Sequence, residues 1–368
     1  MSDSTTMTSP LHDRHVVLGA KMADFSGWSM PIEYPGGGVV AEHTAVRERV
    51  GLFDVSHLGN ASVRGPGAKD FLNTCLANDL DRIEPGKAQY TLCCDEDGGV
   101  VDDLIAYLRS EDDVFLIPNA ANTAEVVRRL QLEAPAGVEV SDEHREHAIL
   151  ALQGPAVDEV MTALGLPTGH GYMSFVDTTW EGVPVTVCRT GYTGERGYEL
   201  VCAAADAGAL WDALVAAMEP YAGIPCGLGA RDTLRTEMGY ALHGNELSRE
   251  ITPVMGRTAW AVGWDKPAFW GKEALTRQRE AKECRLSRGL LVTGRGIPRA
   301  GCTVLDQDGT EVGVVTSGTF GPTLRRGVAL ALLDRTIAEG TPLVVDVRGR
   351  RVEVEMSRPP FVTGGAAG

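Results

Sequence analysis

Two adjacent aspartates, Asp102 and Asp103, are the residues of this chain best suited to proton chemistry. They open a predicted strand that follows the acidic Gly-Gly turn of the segment DEDGGVVDDLIAY, residues 95–107. Because side chains alternate along a strand, we expect Asp103 to share a face with Val101 and Tyr107, and Asp102 to lie on the opposite face. A carboxylate on an apolar face is costly unless it is paired or used in chemistry. One of these aspartates is therefore a candidate for proton transfer.

This acidic segment has two other interpretations. A calcium loop that starts at Asp95 would need glycine at its sixth position, and that residue is Val100, which excludes the loop. An exposed acidic hairpin, with both aspartates at the frayed start of the strand, stays open. The segment taken alone favours this exposed hairpin.

A second motif, GYTGERGYEL, covers residues 191–200. Its glycines permit a tight turn and a close approach of the backbone to a flat ligand. Glu199 lies in a predicted strand on the same face as Gly197 and Val201, where its carboxylate could accept two parallel hydrogen bonds from a ring edge. A hairpin without function is the alternative. The motif lacks the Lys-Ser/Thr pair of a phosphate-binding loop.

A third motif, GLGARDTLRTEMGY, covers residues 227–240 and predicts a helix. Arg231 lies in its first turn, where a positive charge is unfavourable for the helix dipole, so a functional role is one interpretation. An ion pair between domains is the other. The sequence has no G-x-S-x-G motif, and Cys226 has no basic neighbour, so no nucleophile is predicted.

Length and composition indicate an ordinary globular protein of two or three domains. The chain has 368 residues, of which 43% are hydrophobic and 23% charged. Its formal net charge of −16 disfavours nucleic acid and anionic membranes as partners. A small acidic or zwitterionic substrate is compatible with this charge, because a single arginine can act locally.

The cysteines and histidines predict no metal site. The eight cysteines include no C-x-x-C pair, and we expect buried free thiols in a reducing compartment. The N-terminus lacks the apolar core of a signal peptide, and no apolar run approaches the roughly 18 residues of a membrane span. We therefore expect a cytoplasmic protein without a membrane partner.

Periodicity predicts the elements that must position these motifs. We expect a helix over residues 37–50, a second one capped by Asn119, and a third at Ala205–Met218. A meander should contain the first motif as three strands: Tyr90–Cys94, Val100–Arg109 and Val114–Pro118. The alternation of helices with antiparallel strands indicates an α+β fold.

The remaining segments suggest boundaries. Glu133–His147 is rich in Ala, Pro, Gly and charge, and we interpret it as a domain boundary. From about Arg288 onward, short Val-rich strands alternate with Gly turns, which predicts a small all-β barrel or sandwich. We detect no internal repeat and no low-complexity segment beyond the GGAAG tail.

Many further motifs occur in the order known from one family: VGLFDVSHLG, NDL, GKAQYTL, GGVVDDL, PNAANT, LQGP, RTGYTGERGYEL, GLGARDTLR and SGTFGPTL. Through them the chain resembles the aminomethyltransferase, or T-protein, of the glycine cleavage system over nearly its whole length. The resemblance implies a three-domain cloverleaf around a central folate site, with two antiparallel-sheet α+β domains and a small C-terminal β-barrel or jelly-roll-like domain.

We expect three domains with the following boundaries. Residues 1–55 and 148–280 should form a discontinuous folate-binding α+β domain. Residues 56–147 should form a ferredoxin-like α+β domain that carries the catalytic aspartate, and residues 285–368 the C-terminal barrel.

The resemblance implies a reaction and its site. The methylene carbon of the aminomethyl group on the lipoyl arm of H-protein would pass to tetrahydrofolate, giving ammonia and 5,10-methylenetetrahydrofolate. Asp103 would be the catalytic residue, and Glu199 and Arg231 would bind the folate. The remaining implied folate contacts are Tyr90, Tyr107, Asn119 and Tyr192. Tetrahydrofolate would be a co-substrate, and H-protein the partner.

Two alternatives within the same fold stay open. One is a non-catalytic folate-binding protein of the type associated with tRNA modification, although HGNELSREITPV lacks the K-G-C-[FY]-x-G-[QE] motif of that group. The other is a folate-dependent demethylase. The chain departs from the family pattern in SHLGN, residues 56–60, and at Met255, which affects the expected contacts rather than the chemistry.

Overall fold

The computed structural model describes residues 6–363; the first five residues and the GGAAG tail lie outside the described part. The described chain contains eight α-helices: α1 (His12–Val17), α2 (Gly38–Glu48), α3 (Ala68–Cys75), α4 (Thr123–Glu133), α5 (Val157–Ala163), α6 (Ala207–Met218), α7 (Leu228–Met238) and α8 (Lys272–Ala281). None of these helices combines the length and the apolar character needed to cross a membrane. All eight cysteines are free thiols and six are buried, as predicted.

A small N-terminal sheet precedes the larger units. Its strands are β1 (Met7–Thr8), β2 (Lys21–Phe25) and β3 (Trp28–Glu33), in the order β1-β3-β2. Trp28 and Met30 of β3 are buried against Leu228, the first residue of α7. The N-terminal sheet therefore supports the helix that carries the third motif.

A five-stranded sheet contains the first motif. Its strands are β5 (Ala61–Arg64), β6 (Lys87–Cys94), β7 (Val100–Ser110), β8 (Asp113–Ile117) and β9 (Glu139–Asp142), in the order β6-β7-β8-β5-β9. All its neighbouring strands are antiparallel, which confirms the predicted meander. Strand β9 lies inside the segment Glu133–His147, which we interpreted as a domain boundary, and it belongs to this sheet. The chain passes to the next sheet at the end of that segment, between β9 and His147. In β9 the alternation of Val140 with polar neighbours is too short to be recognised as a strand among the surrounding turns.

The turn between β6 and β7 is held by its own residues. The Asp95 carboxylate accepts hydrogen bonds from the backbone N–H of Asp97 at 3.1 Å and of Gly99 at 2.9 Å. Gly98 has φ +84°, a conformation that glycine adopts without a steric penalty. The Asp95 carboxylate thus stabilises the turn, while Asp102 and Asp103 lie beyond it on β7.

A β-bulge at the start of β7 changes one predicted face. Cys93 pairs with Asp102 and Cys94 pairs with Val100, so Val101 is the extra residue. Val101 packs in the core cluster that contains Leu104 and not on the Asp103 face, so that prediction is wrong. The alternation holds from Asp102 onward, beyond the bulge.

A six-stranded sheet contains the second motif. Its strands are β4 (Gly51–Asp54), β10 (His147–Gln153), β11 (Phe175–Trp180), β12 (Val183–Cys188), β13 (Gly197–Ala203) and β14 (Ile224–Cys226), in the order β11-β12-β13-β10-β4-β14. Only β14 runs parallel to its neighbour, β4. Leu210, Trp211 and Leu214 of α6 are buried against this sheet, as their helical spacing predicts.

The two larger sheets repeat one topology, although we predicted no internal repeat. The successions β5-α3-β6-β7-β8-α4-β9 and β10-α5-β11-β12-β13-α6-β14 give the same strand order, except that β4 is inserted in the second sheet. Both units place a Gly-Pro pair before their first helix, with φ +125° at Gly65 and +136° at Gly154. A single shared Gly-Pro pair is too little for a repeat to be recognised in the sequence. The expectation of no internal repeat was therefore wrong for the structure.

The C-terminal strands close into a barrel. They are β15 (Leu286–Val292), β16 (Thr303–Leu305), β17 (Glu311–Gly321), β18 (Arg326–Leu333), β19 (Pro342–Val347) and β20 (Arg350–Ser357), in the order β15-β18-β17-β16-β19-β20. This confirms the predicted barrel. The exact domain boundaries stay a prediction, which the membership of the strands in separate sheets supports.

Candidate active site

A cavity of about 620 Å³ is enclosed by the five-stranded sheet, the six-stranded sheet and the segment after α7. Its lining includes every residue that the sequence predicted for the site: Tyr90, Asp103, Tyr107, Asn119, Tyr192, Glu199 and Arg231. These residues come from β6, β7, β13, α7 and two loops, so the fold brings together positions that are far apart in the chain.

Asp103 enters the cavity from β7, and both of its carboxylate oxygens are engaged. Oδ2 accepts a hydrogen bond from the Tyr90 hydroxyl at 2.9 Å, and Oδ1 accepts one from the Asn119 amide Nδ2 at 3.0 Å. Burial raises the pKa of Asp103 above the usual range of an aspartic acid, against the opposing effect of these hydrogen bonds. The interpretation of this segment as an exposed acidic hairpin is therefore wrong.

Asn119 does not cap a helix, contrary to our expectation. Helix α4 begins at Thr123, and Asn122 occupies the residue before it. The Asn119 amide donates instead to Asp102 Oδ1 at 2.9 Å and to the Asp103 backbone oxygen at 2.8 Å. Two neighbouring carboxyl groups thus outcompete the helix end for this side chain.

Glu199 lies on β13 in the wall of the cavity and is only 8% exposed. Its Oε2 accepts a short hydrogen bond from the Thr190 hydroxyl, which in turn lies 3.2 Å from the Tyr107 hydroxyl. Its Oε1 has no hydrogen-bond partner within residues 6–363. A buried carboxylate with one free oxygen suits a ligand that offers N–H groups.

Arg231 of α7 makes no ion pair in the described part of the chain, so the predicted alternative of an interdomain pair is not seen. Its guanidinium carbon lies 4.4 Å from the centre of the Tyr192 ring, a cation–π contact. Burial lowers the pKa of Arg231, and the charge of Glu199 opposes this effect. The guanidinium is therefore held by an aromatic face, and its N–H groups stay available to a ligand.

Sequence reasoning missed several residues of the wall. Trp260 is 68% exposed and stacks on Tyr90 with 5.4 Å between ring centres. His57 is buried, and burial together with the Arg231 charge lowers its pKa to about 3, so its ring is neutral. Trp260 lies in a short 3₁₀ turn, Ala259–Ala261, in a loop without periodicity. Nothing in the local sequence pattern distinguishes such positions.

The lining suits a reaction by positioning and proton transfer. It includes one partly buried acid with a raised pKa, one carboxylate with a free oxygen, and the guanidinium groups of Arg231 and Arg257. No cysteine or lysine of residues 6–363 contributes to it. The cavity thus offers hydrogen bonds and a proton, and it presents neither a thiol nor an amine for covalent chemistry.

Family comparisons agree over nearly the whole chain. Residues 11–266 match the GCVT N-terminal domain, and residues 285–363 match the glycine cleavage T-protein C-terminal barrel domain. The aminomethyltransferase of Parafrankia sp. (strain EAN1pec) is 63% identical over 355 residues, which cover 96% of this chain and 97% of that protein. The aminomethyltransferase of Mycobacterium avium (strain 104) is 58% identical over 363 residues, 98% of each chain.

A solved structure shares the fold. The glycine cleavage system aminomethyltransferase T from Bartonella henselae aligns with a TM-score of 0.91 at 34% sequence identity, covering 97% of this chain and 98% of that one. This agreement confirms the predicted α+β architecture with its C-terminal barrel. The chain belongs to the family of glycine cleavage T-proteins, the folate-dependent aminomethyltransferases.

Proposed function

We propose that this protein transfers the methylene carbon of an aminomethyl group on the lipoyl arm of H-protein to tetrahydrofolate. Ammonia, the reduced lipoyl arm and 5,10-methylenetetrahydrofolate are the products. One observation carries the proposal: a single cavity, in a chain of this family, joins Asp103 to Glu199 and Arg231. The cytoplasm stays the predicted location.

The pterin end of tetrahydrofolate fits the side of the cavity at Glu199. The free Oε1 of Glu199 can accept hydrogen bonds from the N–H groups of the pterin edge, and the Arg231 guanidinium can donate to its carbonyl oxygen. Tyr192, which holds that guanidinium at 4.4 Å, supplies an aromatic face beside the ring. In this orientation the folate amines point toward Asp103.

The reaction balances without a covalent enzyme intermediate. The two folate nitrogens bond to the methylene carbon as its bonds to sulfur and to nitrogen break. The two N–H hydrogens of the folate end on ammonia and on the lipoyl thiol. Holding both substrates in place lowers the barrier by as much as roughly 7–11 kcal/mol, so the residues mainly need to position, exclude water and move protons.

The deciding experiment combines the protein with aminomethylated H-protein and tetrahydrofolate and measures ammonia and 5,10-methylenetetrahydrofolate. We expect both products in equal amounts. Tight folate binding without turnover would contradict the proposal and favour a non-catalytic folate-binding protein. Turnover of a small methylated amine in place of H-protein would favour a demethylase.

Replacing Glu199 by alanine should weaken the binding of tetrahydrofolate roughly 10- to 100-fold, because a hydrogen bond to a charged group contributes about 1.5–3 kcal/mol. Isothermal titration calorimetry gives the dissociation constant. Asp177→Ala is the matched control, since it removes an exposed carboxylate of the same sheet outside the cavity. Equal losses in the two variants would remove Glu199 from the folate site.

Replacing Trp260 by alanine should weaken tetrahydrofolate binding roughly 3- to 10-fold, because an aromatic pair contributes about 0.5–1.5 kcal/mol beyond area burial. The Trp260 side chain is 68% exposed, which leaves aromatic surface on which the aryl ring of the folate tail can stack. Phe320→Ala removes a 37% exposed ring on the barrel and serves as control. An unchanged dissociation constant for Trp260→Ala would contradict this role.

A further inference from the structure

Asp102, which the sequence marked only as the neighbour of Asp103, is fully buried and surrounded by hydrogen-bond donors. Its Oδ1 accepts from the amide Nδ2 of Asn119 at 2.9 Å and of Asn122 at 2.7 Å. Its Oδ2 accepts from the Asn119 backbone N–H at 2.9 Å. Three N–H groups therefore point at this carboxyl, and it is 0% exposed.

Such surroundings select one protonation state. A carboxylic acid carries an O–H that needs an acceptor, and each oxygen of Asp102 already faces N–H donors. The ionised carboxylate satisfies all three donors. Burial, and after it the charge of Asp103, raise the pKa of Asp102 well above the usual range of an aspartic acid, against the opposing effect of the three donors. The positions of the donors nevertheless favour the ionised carboxylate, because a proton on either Asp102 oxygen would face an N–H group and find no acceptor.

Asp103 lies beside a group that can accept a proton's hydrogen bond, and Asp102 does not. The Tyr90 hydroxyl, 2.9 Å from Asp103 Oδ2, can either donate a hydrogen bond or accept one. A proton on Oδ2 therefore finds an acceptor without any change of structure. Two adjacent buried carboxyl groups do not both ionise readily, so the proton resides on the member that can accommodate it.

Within residues 6–363, neither Asp102 nor Asp103 has an ion-pair partner, and both are held by hydrogen bonds. The titratable groups that face it are Tyr90 and Cys93 on β6, Tyr192 in the loop before β13 and His243 after α7. His243 Nε2 lies 3.0 Å from the Val100 carbonyl oxygen, so it carries the hydrogen. His243 Nδ1, 3.1 Å from the Asn122 amide Nδ2, then accepts a hydrogen bond from that amide.

We propose that Asp102 and Asp103 form a dyad that holds one proton, with Asp102 as the ionised member and Asp103 as the acid. Asp102 is a positioning residue: it orients Asn119 against Asp103, and its negative charge keeps the Asp103 proton in place. This deepens the proposed function and rests on it for the role of the proton.

The dyad gives the proton a defined route. Asp103 Oδ2–H passes its proton to the nitrogen of the aminomethyl group as the carbon–nitrogen bond breaks, and ammonia leaves. The Asp103 carboxylate then takes a proton from a folate nitrogen as that nitrogen bonds to the methylene carbon. Asp103 ends the cycle protonated, and Asp102 keeps its charge throughout.

Infrared spectroscopy of the enzyme without substrates tests the dyad independently of turnover. At neutral pH, where ordinary aspartic acids with a pKa of about 3.9 are ionised, the wild type should show the carbonyl band of a protonated carboxyl group. Asp103→Asn should lose that band. Its absence from the wild type, or its persistence in Asp103→Asn, would overturn the proposal.

The pH profile of kcat tests the role of Asp102. In Asp102→Asn the alkaline limb should move to lower pH by roughly one unit or more, because the charge that retains the Asp103 proton is gone. A loss of kcat by the same factor at every pH would indicate a merely structural role and contradict the dyad. If Asp102→Asn does not fold, the infrared spectra of the wild type and of Asp103→Asn still test whether the dyad holds a proton.

Discussion

Replacing Asp103 by asparagine will lower kcat at least about 100-fold, since a positioned general acid or base contributes roughly 10²–10⁴ in rate. The asparagine keeps the size of the side chain and can still meet the Tyr90 hydroxyl, which lies 2.9 Å from Oδ2 in the wild type. It has no acidic proton to give. The dissociation constant for tetrahydrofolate should stay close to the wild-type value, because the substitution leaves the proposed folate contacts of Glu199 and Arg231 in place.

Steady-state kinetics with aminomethylated H-protein, together with calorimetric titration of tetrahydrofolate, separates these two effects. Asp97→Asn is the matched control, because Asp97 is an exposed acid of the same hairpin and lies outside the cavity. Wild-type turnover in Asp103→Asn would remove the proton role from this residue. A parallel loss of folate affinity would make Asp103 a binding residue instead.

Strand periodicity was enough to place part of this site in advance. Beyond the bulge, alternation along β7 correctly separated Asp103, which lines the cavity with Tyr107, from the buried Asp102. The bulge itself was not predictable, since it depends on the pairing of Cys93 and Cys94 with β7. The pairing depends on both strands together, so it cannot be read from the periodicity of either strand alone.

The partners of the two aspartates depend on contacts between distant segments. Asn122 and His243 are 121 positions apart, and His243 and Val100 are 143 apart. Local pattern assigned Asn119 to a helix end, because an asparagine before a helix is commonly a cap. Only the fold shows that its amide is bound by two carboxyl groups. The roles that followed from the family resemblance remain predictions that the geometry of the site supports.

Helix α7 links this site to the barrel through Arg235, whose side chain is 2% exposed. Its Nη1 donates to the buried Glu246 at 2.9 Å, and its Nη2 donates to the Ser317 hydroxyl of β17 at 2.9 Å. The same helix carries Arg231, one turn earlier, into the cavity. The orientation of Arg231 toward a ligand therefore depends on the contact between α7 and the barrel.

Replacing Arg235 by alanine should reduce the free energy of unfolding by about 3–5 kcal/mol, because the Glu246 carboxylate is left buried and unpaired. Urea denaturation followed by circular dichroism measures this loss. Arg14→Ala is the control: its pair with Asp212 is exposed, at 39% and 61%, and such pairs contribute about 1 kcal/mol or less. The double variant Arg235→Met with Glu246→Gln should lose less than the sum of its single changes, since it leaves no buried charge. Equal losses in Arg235→Ala and Arg14→Ala would show that the buried pair does not hold α7 against the barrel.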